Sequence, residues 1–235
     1  MRLNEFQQPV GEPLPEWTPR PLPERMALAG RFCVLEPLES VRHYEDLLAA
    51  WRGAEDDRDW TYLPAGPFNA EEFRDYLARA EASRDPLHFA VIDRQSGRAV
   101  GTLALMRIEP AHGVMEVGYV TFSPALKRTP LSTESHFLLM RYAFDRLGYR
   151  RYEWKCDSLN APSRRAAERL GFRYEGLFRQ AIVYKGRSRD TAWFSIIDKE
   201  WPTLREAFER WLDVSNFDAA GVQRHSLADL RQQRA

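Results

Sequence analysis

The chain has 235 residues, 44% of them hydrophobic and 29% charged, enough for one large domain around a buried core. Lys plus Arg equals Asp plus Glu at 34 each, so the overall charge gives no argument for nucleic acid or for an anionic membrane surface. No apolar run reaches the roughly 18 residues of a membrane span, and the first residues lack a signal-peptide core, so a cytoplasmic protein is expected.

Residues 1–29 carry six of the fifteen prolines, in Pro9, Pro13-Leu-Pro15 and Pro19-Arg-Pro21-Leu-Pro23. That spacing forbids helix and predicts an extended arm, free to wrap the domain or a second subunit, which leaves a homodimer open. A domain over 30–213 and a polar, mobile tail over 214–235 follow in this division. Arg31–Glu36 reads as the first strand, and Val41–Trp51 and Asn69–Ser83 as helices. Asn69 is placed as the N-cap of the second, ahead of Glu71 and Glu72. Leu87–Asp93 and Arg98–Ile108 read as a hairpin, followed by a strand over Val114–Phe122. Leu131–Leu147 is the clearest helix, with Phe137, Met140, Phe144 and Leu147 on one side and Gly148 at its end. Arg151–Asp157 alternates charged and apolar residues, a strand with one buried face. A helix opening at Pro162 and ending at Gly171 comes next, then strands near 172–184 and 191–197 and a helix over Pro202–Leu212. This order predicts an α/β fold around one mixed sheet. Cys33 and Cys156 lie in strand-like runs and suggest neither a disulfide framework nor a metal site. The five histidines show no ligand or triad spacing, so no metal is expected.

Six landmarks then stand in order: Val114-Met-Glu-Val-Gly-Tyr119, Thr133-Glu134, Tyr142-Ala-Phe144, Asn160-x-x-Ser163, Leu170-Gly-Phe172 and Glu175-Gly176. Over roughly residues 30–200 the chain resembles the GNAT superfamily of acyl-CoA N-acyltransferases. More narrowly, it looks like the RimJ/RimL-like branch that acetylates ribosomal-protein N-termini and small amines. The resemblance implies a GNAT fold with a sheet of about seven strands, acetyl-CoA as co-substrate, and direct acetyl transfer to a primary amine in a ternary complex. The alternative is a catalytically silent CoA-binding regulatory or interaction module.

The cofactor's pyrophosphate calls for N–H groups at a helix N-terminus. The segment Phe122-Ser123 through Lys127, Arg128, Thr129, Ser132 and Thr133 leads into the clearest helix and is the candidate. The family usually carries glycines in this loop, and their places here hold Arg128, Pro130 and Ser132, a departure that argues against close backbone approach. The resemblance also puts a backbone N–H near Thr121–Ser123 on the thioester carbonyl. Asn160 is expected to fix the pantetheine arm, and Ser163 to supply a proton to the departing thiolate, alongside plain helix capping. Glu116 is the candidate general base, placed by strand alternation on an apolar row with Val114, Gly118 and Val120. Trp51, Trp60 and Tyr62 fall where the family shapes its acceptor pocket, with loop anchoring as the competing reading. Arg179, Lys185 and Arg187 are candidates to receive an acidic acceptor group.

Overall fold

The computed structural model describes residues 2–232. An exposed hairpin, β1 (Arg2–Leu3) and β2 (Pro9–Val10), opens the chain. Then follow β3 (Leu28–Ala29), β4 (Cys33–Pro37), α1 (Ser40–Arg52), α2 (Ala70–Ala82), β5 (Leu87–Asp93), β6 (Ala99–Glu109) and β7 (Val114–Phe122). The second half holds α3 (Pro130–Arg141), β8 (Arg151–Asp157), α4 (Ala161–Leu170), β9 (Arg173–Tyr184), β10 (Arg187–Ile197), α5 (Trp201–Leu212) and α6 (Leu227–Gln232). One sheet of eight strands runs in the order β3-β4-β5-β6-β7-β8-β10-β9; the eighth, beyond the seven expected, is the two-residue β3. All neighbours are antiparallel except β7 and β8.

The two faces of the sheet bury different things. On one, Leu103, Leu105, Met115, Val117, Tyr152, Trp154, Phe194 and Ile196 meet Phe137 and Met140 of α3 and Trp201 and Phe208 of α5. On the other, Ala90 and Ala99 meet Leu47 of α1 and Phe73 and Leu77 of α2. α2 starts where Asn69 Oδ1 accepts the N–H groups of Glu71 and Glu72, while Glu72 Oε2 accepts the N–H of Asn69, a reciprocal cap worth about 1 kcal/mol. α4 ends at Gly171, whose φ of 101° only glycine adopts without strain. The clearest helix departs from its expected span: after Arg141 it widens into a π turn over Tyr142–Arg146, still directing Phe144 and Leu147 into the core.

The arm wraps its own domain. Tyr149 donates to the carbonyl of Pro21, Glu24 N–H to the hydroxyl of Tyr142, and Trp17 Nε1 to the carbonyl of Ala111. Residues 214–232 are not the mobile tail expected from their polarity. Asn216 donates to the carbonyls of Trp211 and His225, and Leu227 and Leu230 are buried in the main core. The rest of that tail, 233–235, lies outside the described residues.

Candidate active site

β7 and β8 pair only along Val114–Val117 and Arg151–Trp154, then part. The parting follows from a bulge in β7: Tyr119 sits at φ 50°, a left-handed conformation costly for tyrosine, and the register with β6 slips between Gly118 and Thr121. On the α3 side, the imidazole of His136 fills the gap between the diverging strands, 5.5 Å from the Phe122 ring and 5.1 Å from the Trp154 ring. Ser123 donates its N–H to the carbonyl of Val100, so ladder alternation turns the Phe122 N–H away from β6 and into the cleft. Of the stretch expected to hold a carbonyl, Phe122 rather than Ser123 therefore offers a free amide.

The bulge corrects one expectation. Glu116 does not share an apolar row with Val120: Val120 is thrown to the core face, while Gly118 and Tyr119 stay on the face of α1 and α2. Glu116 itself is only 5% exposed and far from unpartnered. Its Oε2 lies 2.9 Å from Lys155 Nζ and 3.2 Å from Arg107 Nε. Lys155 also reaches Glu153 Oε2 at 2.6 Å, and Arg151 links Glu153 to Glu175. Burial pushes the Glu116 carboxyl above its ordinary value, and the Lys155 and Arg107 cations hold that rise in check.

Across the cleft, Asn160 caps α4 by accepting the N–H of Ser163 at 3.2 Å. Trp154 Nε1 donates to Ser163 Oγ at 3.0 Å, so the hydroxyl accepts there while its own proton has the neighbouring Cys156 sulfur within reach. Capping and a ligand role coexist here. Tyr184 donates to Asp157 Oδ2 at 2.7 Å, and its pKa is pushed up to about 12, first by burial and then by that bond.

The loop into α3 bears on acetyl-CoA. Thr129 is the N-cap, and Pro130 takes the first helical position, where no N–H is required. Arg128 stands at φ 61°, a glycine-like conformation in one of the places where glycine was expected. Ser123 Oγ is buried without a hydrogen-bond partner at the loop's start. Ser132 and Thr133 turn inward: Ser132 Oγ donates to the carbonyl of Thr129, and Thr133 Oγ1 accepts from Arg169. Lys127 is held at 2.5 Å by Asp59. The loop thus keeps a helix N-terminus, a cation at each of two positions and an unmet hydroxyl, and it fits a pyrophosphate despite its missing glycines.

Trp51 and Trp60 pack edge to face at 4.9 Å and join Phe68 and Phe73, so both anchor the segment between α1 and α2. Tyr62 reaches further, donating to the carbonyl of Leu159 at 3.3 Å. Lys185 and Arg187 donate to the carbonyls of Trp60 and Thr61, whereas Arg179 stands exposed on β9. Residues 57–62 therefore form a strap fixed to both walls of the cleft. Sequence reading missed Lys155: alternation puts it on one face of its strand with Glu153, and only the parallel pairing of β7 with β8 brings that face to Glu116.

The family described as Acetyltransferase (GNAT) domain matches residues 33–173. The chain belongs to the GNAT family of acetyltransferases. A GCN5-related N-acetyltransferase structure from Brucella melitensis is 52% identical with a TM-score of 0.91, covering 93% of this chain and 100% of that one. A probable GNAT-family acetyltransferase from Chromobacterium violaceum is 43% identical with a TM-score of 0.77, covering 83% of this chain and 98% of that one. Among curated proteins, the uncharacterized N-acetyltransferase YnaD of Bacillus subtilis is 24% identical over 163 residues, 68% of this chain and 94% of its own length. The enzyme class and the GNAT fold follow.

Proposed function

We propose that this GNAT enzyme moves an acetyl group from acetyl-CoA to a primary amine, a protein N-terminus, an amino acid or a small amine, by direct transfer in a ternary complex. The observation that carries the reading is Glu116, a buried carboxylate beside the bulge at the point where β7 and β8 part. When bound, acetyl-CoA supplies an acetyl group already activated as a thioester. Lys127, Arg128 and Thr129, with the α3 N-terminus, would hold its pyrophosphate, Asn160 its pantetheine arm and the Phe122 N–H its thioester carbonyl. Glu116, made more basic by burial, takes the proton that an acceptor ammonium must lose before it can attack. Ser163, steadied by Trp154, would turn its hydroxyl proton from the Cys156 sulfur to the departing thiolate. Tyr62 and the strap face the acceptor side. Cys156 is buried with a raised pKa, which disfavours a thiolate nucleophile and supports direct transfer.

The test is acetyl-CoA calorimetry on the wild-type chain, Asn160→Ala and Lys127→Ala/Arg128→Ala, followed by an amine screen with Glu116→Gln. Binding weakened by the cofactor-site changes, and turnover reduced on the order of a hundredfold by Glu116→Gln at unchanged binding, is the expected pattern. A folded wild-type chain that does not bind acetyl-CoA ends the proposal.

A further inference from the structure

Lys155 is an unusual lysine. Its side chain is 7% exposed, its ammonium lies 3.8 Å from the centroid of the Trp193 ring, and two carboxylates, Glu116 at 2.9 Å and Glu153 at 2.6 Å, share its charge. A strand lysine needs none of this to fold; solvent would serve its ammonium better than a closed cage. The cage has a chemical consequence. A carboxylate buried alone would be protonated near neutral pH and useless as a base, whereas one tightly paired with a dedicated cation would be too weak to take a proton.

Resting on the reading of Glu116 as general base, we propose that Lys155 is its positioning residue: divided between Glu116 and Glu153, it fixes the Glu116 carboxylate and sets the pH at which it accepts a proton. Arg107, from β6, is the other cation facing Glu116 and is largely exposed at 59%. His88 of β5 and Tyr119 of β7 meet edge to face on the same face, with Tyr76 of α2 beside Tyr119. Glu153 is itself held by Arg151, so the acid that competes for Lys155 is fixed in place.

Two variants must then move the acid limb of the pH–rate profile in opposite directions. Lys155→Met strips the carboxylate of its buried cation, and the limb should move up by about one pH unit or more. Glu153→Gln leaves Lys155 to Glu116 alone, and the limb should move down. Lys155→Arg, which restores a cation, should return most of the shift. A structural role alone would lower the melting temperature and the rate together at every pH and leave the limb in place.

The rates are initial rates of acetyl-CoA thioester loss by the full chain, with a serine-initiated dipeptide amide as acceptor probe and water as the background acceptor. Alongside, the carboxyl carbon of Glu116 is titrated by NMR in ¹³C-glutamate-labelled, ligand-free chain, its signal identified by its loss in Glu116→Gln. Opposite shifts in both readouts establish the proposal. If Lys155→Met fails to fold, the downward shift in Glu153→Gln decides alone. An inactive Glu116→Gln beside Lys155 and Glu153 variants with an unmoved limb overturns the proposal and leaves the base assignment standing. A Glu116→Gln chain with the wild-type rate, or a wild-type chain without turnover on either acceptor, overturns both.

Discussion

Two buried histidines make this protein sensitive to acid. His136 sits between Phe122 and Trp154, and burial lowers its pKa to about 3; His88 is held at about 4, again mainly by burial. Both folded values lie below the 6.5 of an unperturbed imidazole, so folding requires the neutral form. Stability from these sites is whole above about pH 6.5 and is lost as pH falls toward the folded values, because the unfolded chain binds protons that the fold refuses. Each site then costs about 2 kcal/mol at pH 5 relative to pH 7. Urea unfolding of the wild type and of His136→Phe at the two pH values checks this: the variant should lose about 2 kcal/mol less. Equal losses would mean that His136 is charged in the fold. Nothing local in the sequence announced these residues, since a histidine inside a helix or strand pattern looks the same whether it meets solvent or aromatic rings. Glu116 was legible as a candidate because strand alternation is local. Its cage was not, because Lys155 belongs to the next strand of the sheet and is reached only through the parallel register.

Among the elements, the strap at 57–62 ties the last hairpin to the loop that enters α3. Asp59 holds Lys127, and Lys185 and Arg187 hold the carbonyls of Trp60 and Thr61 from the last hairpin. A pyrophosphate placed on the α3 loop would compete with Asp59 for Lys127. Asp59→Asn should therefore tighten acetyl-CoA binding, though by no more than about fivefold, because both members of the pair are partly exposed and such a pair is worth about 1 kcal/mol at most. Calorimetry at low and at raised ionic strength reads the effect, which should shrink as salt screens the pair. Unchanged affinity at low salt would show that Lys127 does not meet the cofactor. The sequence displayed the strap's aromatic residues but not its ties, which join positions far apart in the chain, more than a hundred residues for those of Lys185 and Arg187. The π turn after Arg141 and the bulge at Tyr119 were equally hidden. Each is a single-residue slip that leaves the surrounding hydrophobic period intact, and the period is what marks a helix or strand.

At the scale of the molecule, strand and helix order was readable because most elements carry the period of one buried face or a run of apolar residues bounded by turn signals; the tail was not, because two leucines in a polar stretch, Leu227 and Leu230, help dock it. The proline arm was legible as extended, but its destination was a matter of tertiary contact. Several bonds of its first twenty residues fall at the β6–β7 turn, where Trp17 reaches Ala111, Arg20 N–H reaches Pro110, and Arg20 and Arg150 lie over the Trp17 ring. That turn precedes Val114, at the end of β7 remote from the cleft that opens toward Phe122. The first twenty residues of the arm and the candidate site therefore lie at opposite ends of the same strand. Removing residues 1–20 should cost about 2 kcal/mol from the lost hydrogen bonds and ring contacts, since each such bond contributes on the order of 1 kcal/mol net. Acetyl-CoA affinity at a temperature where the shortened chain stays folded should match the wild type, since β7 is anchored on both sides by β6 and β8 without the arm. Thermal unfolding and calorimetry on the same preparation separate the two effects. A shortened chain as stable as the wild type would mean that the arm merely lies on the domain, and a stable chain with lost affinity would mean that the turn at Pro110 communicates with the bulge at Tyr119.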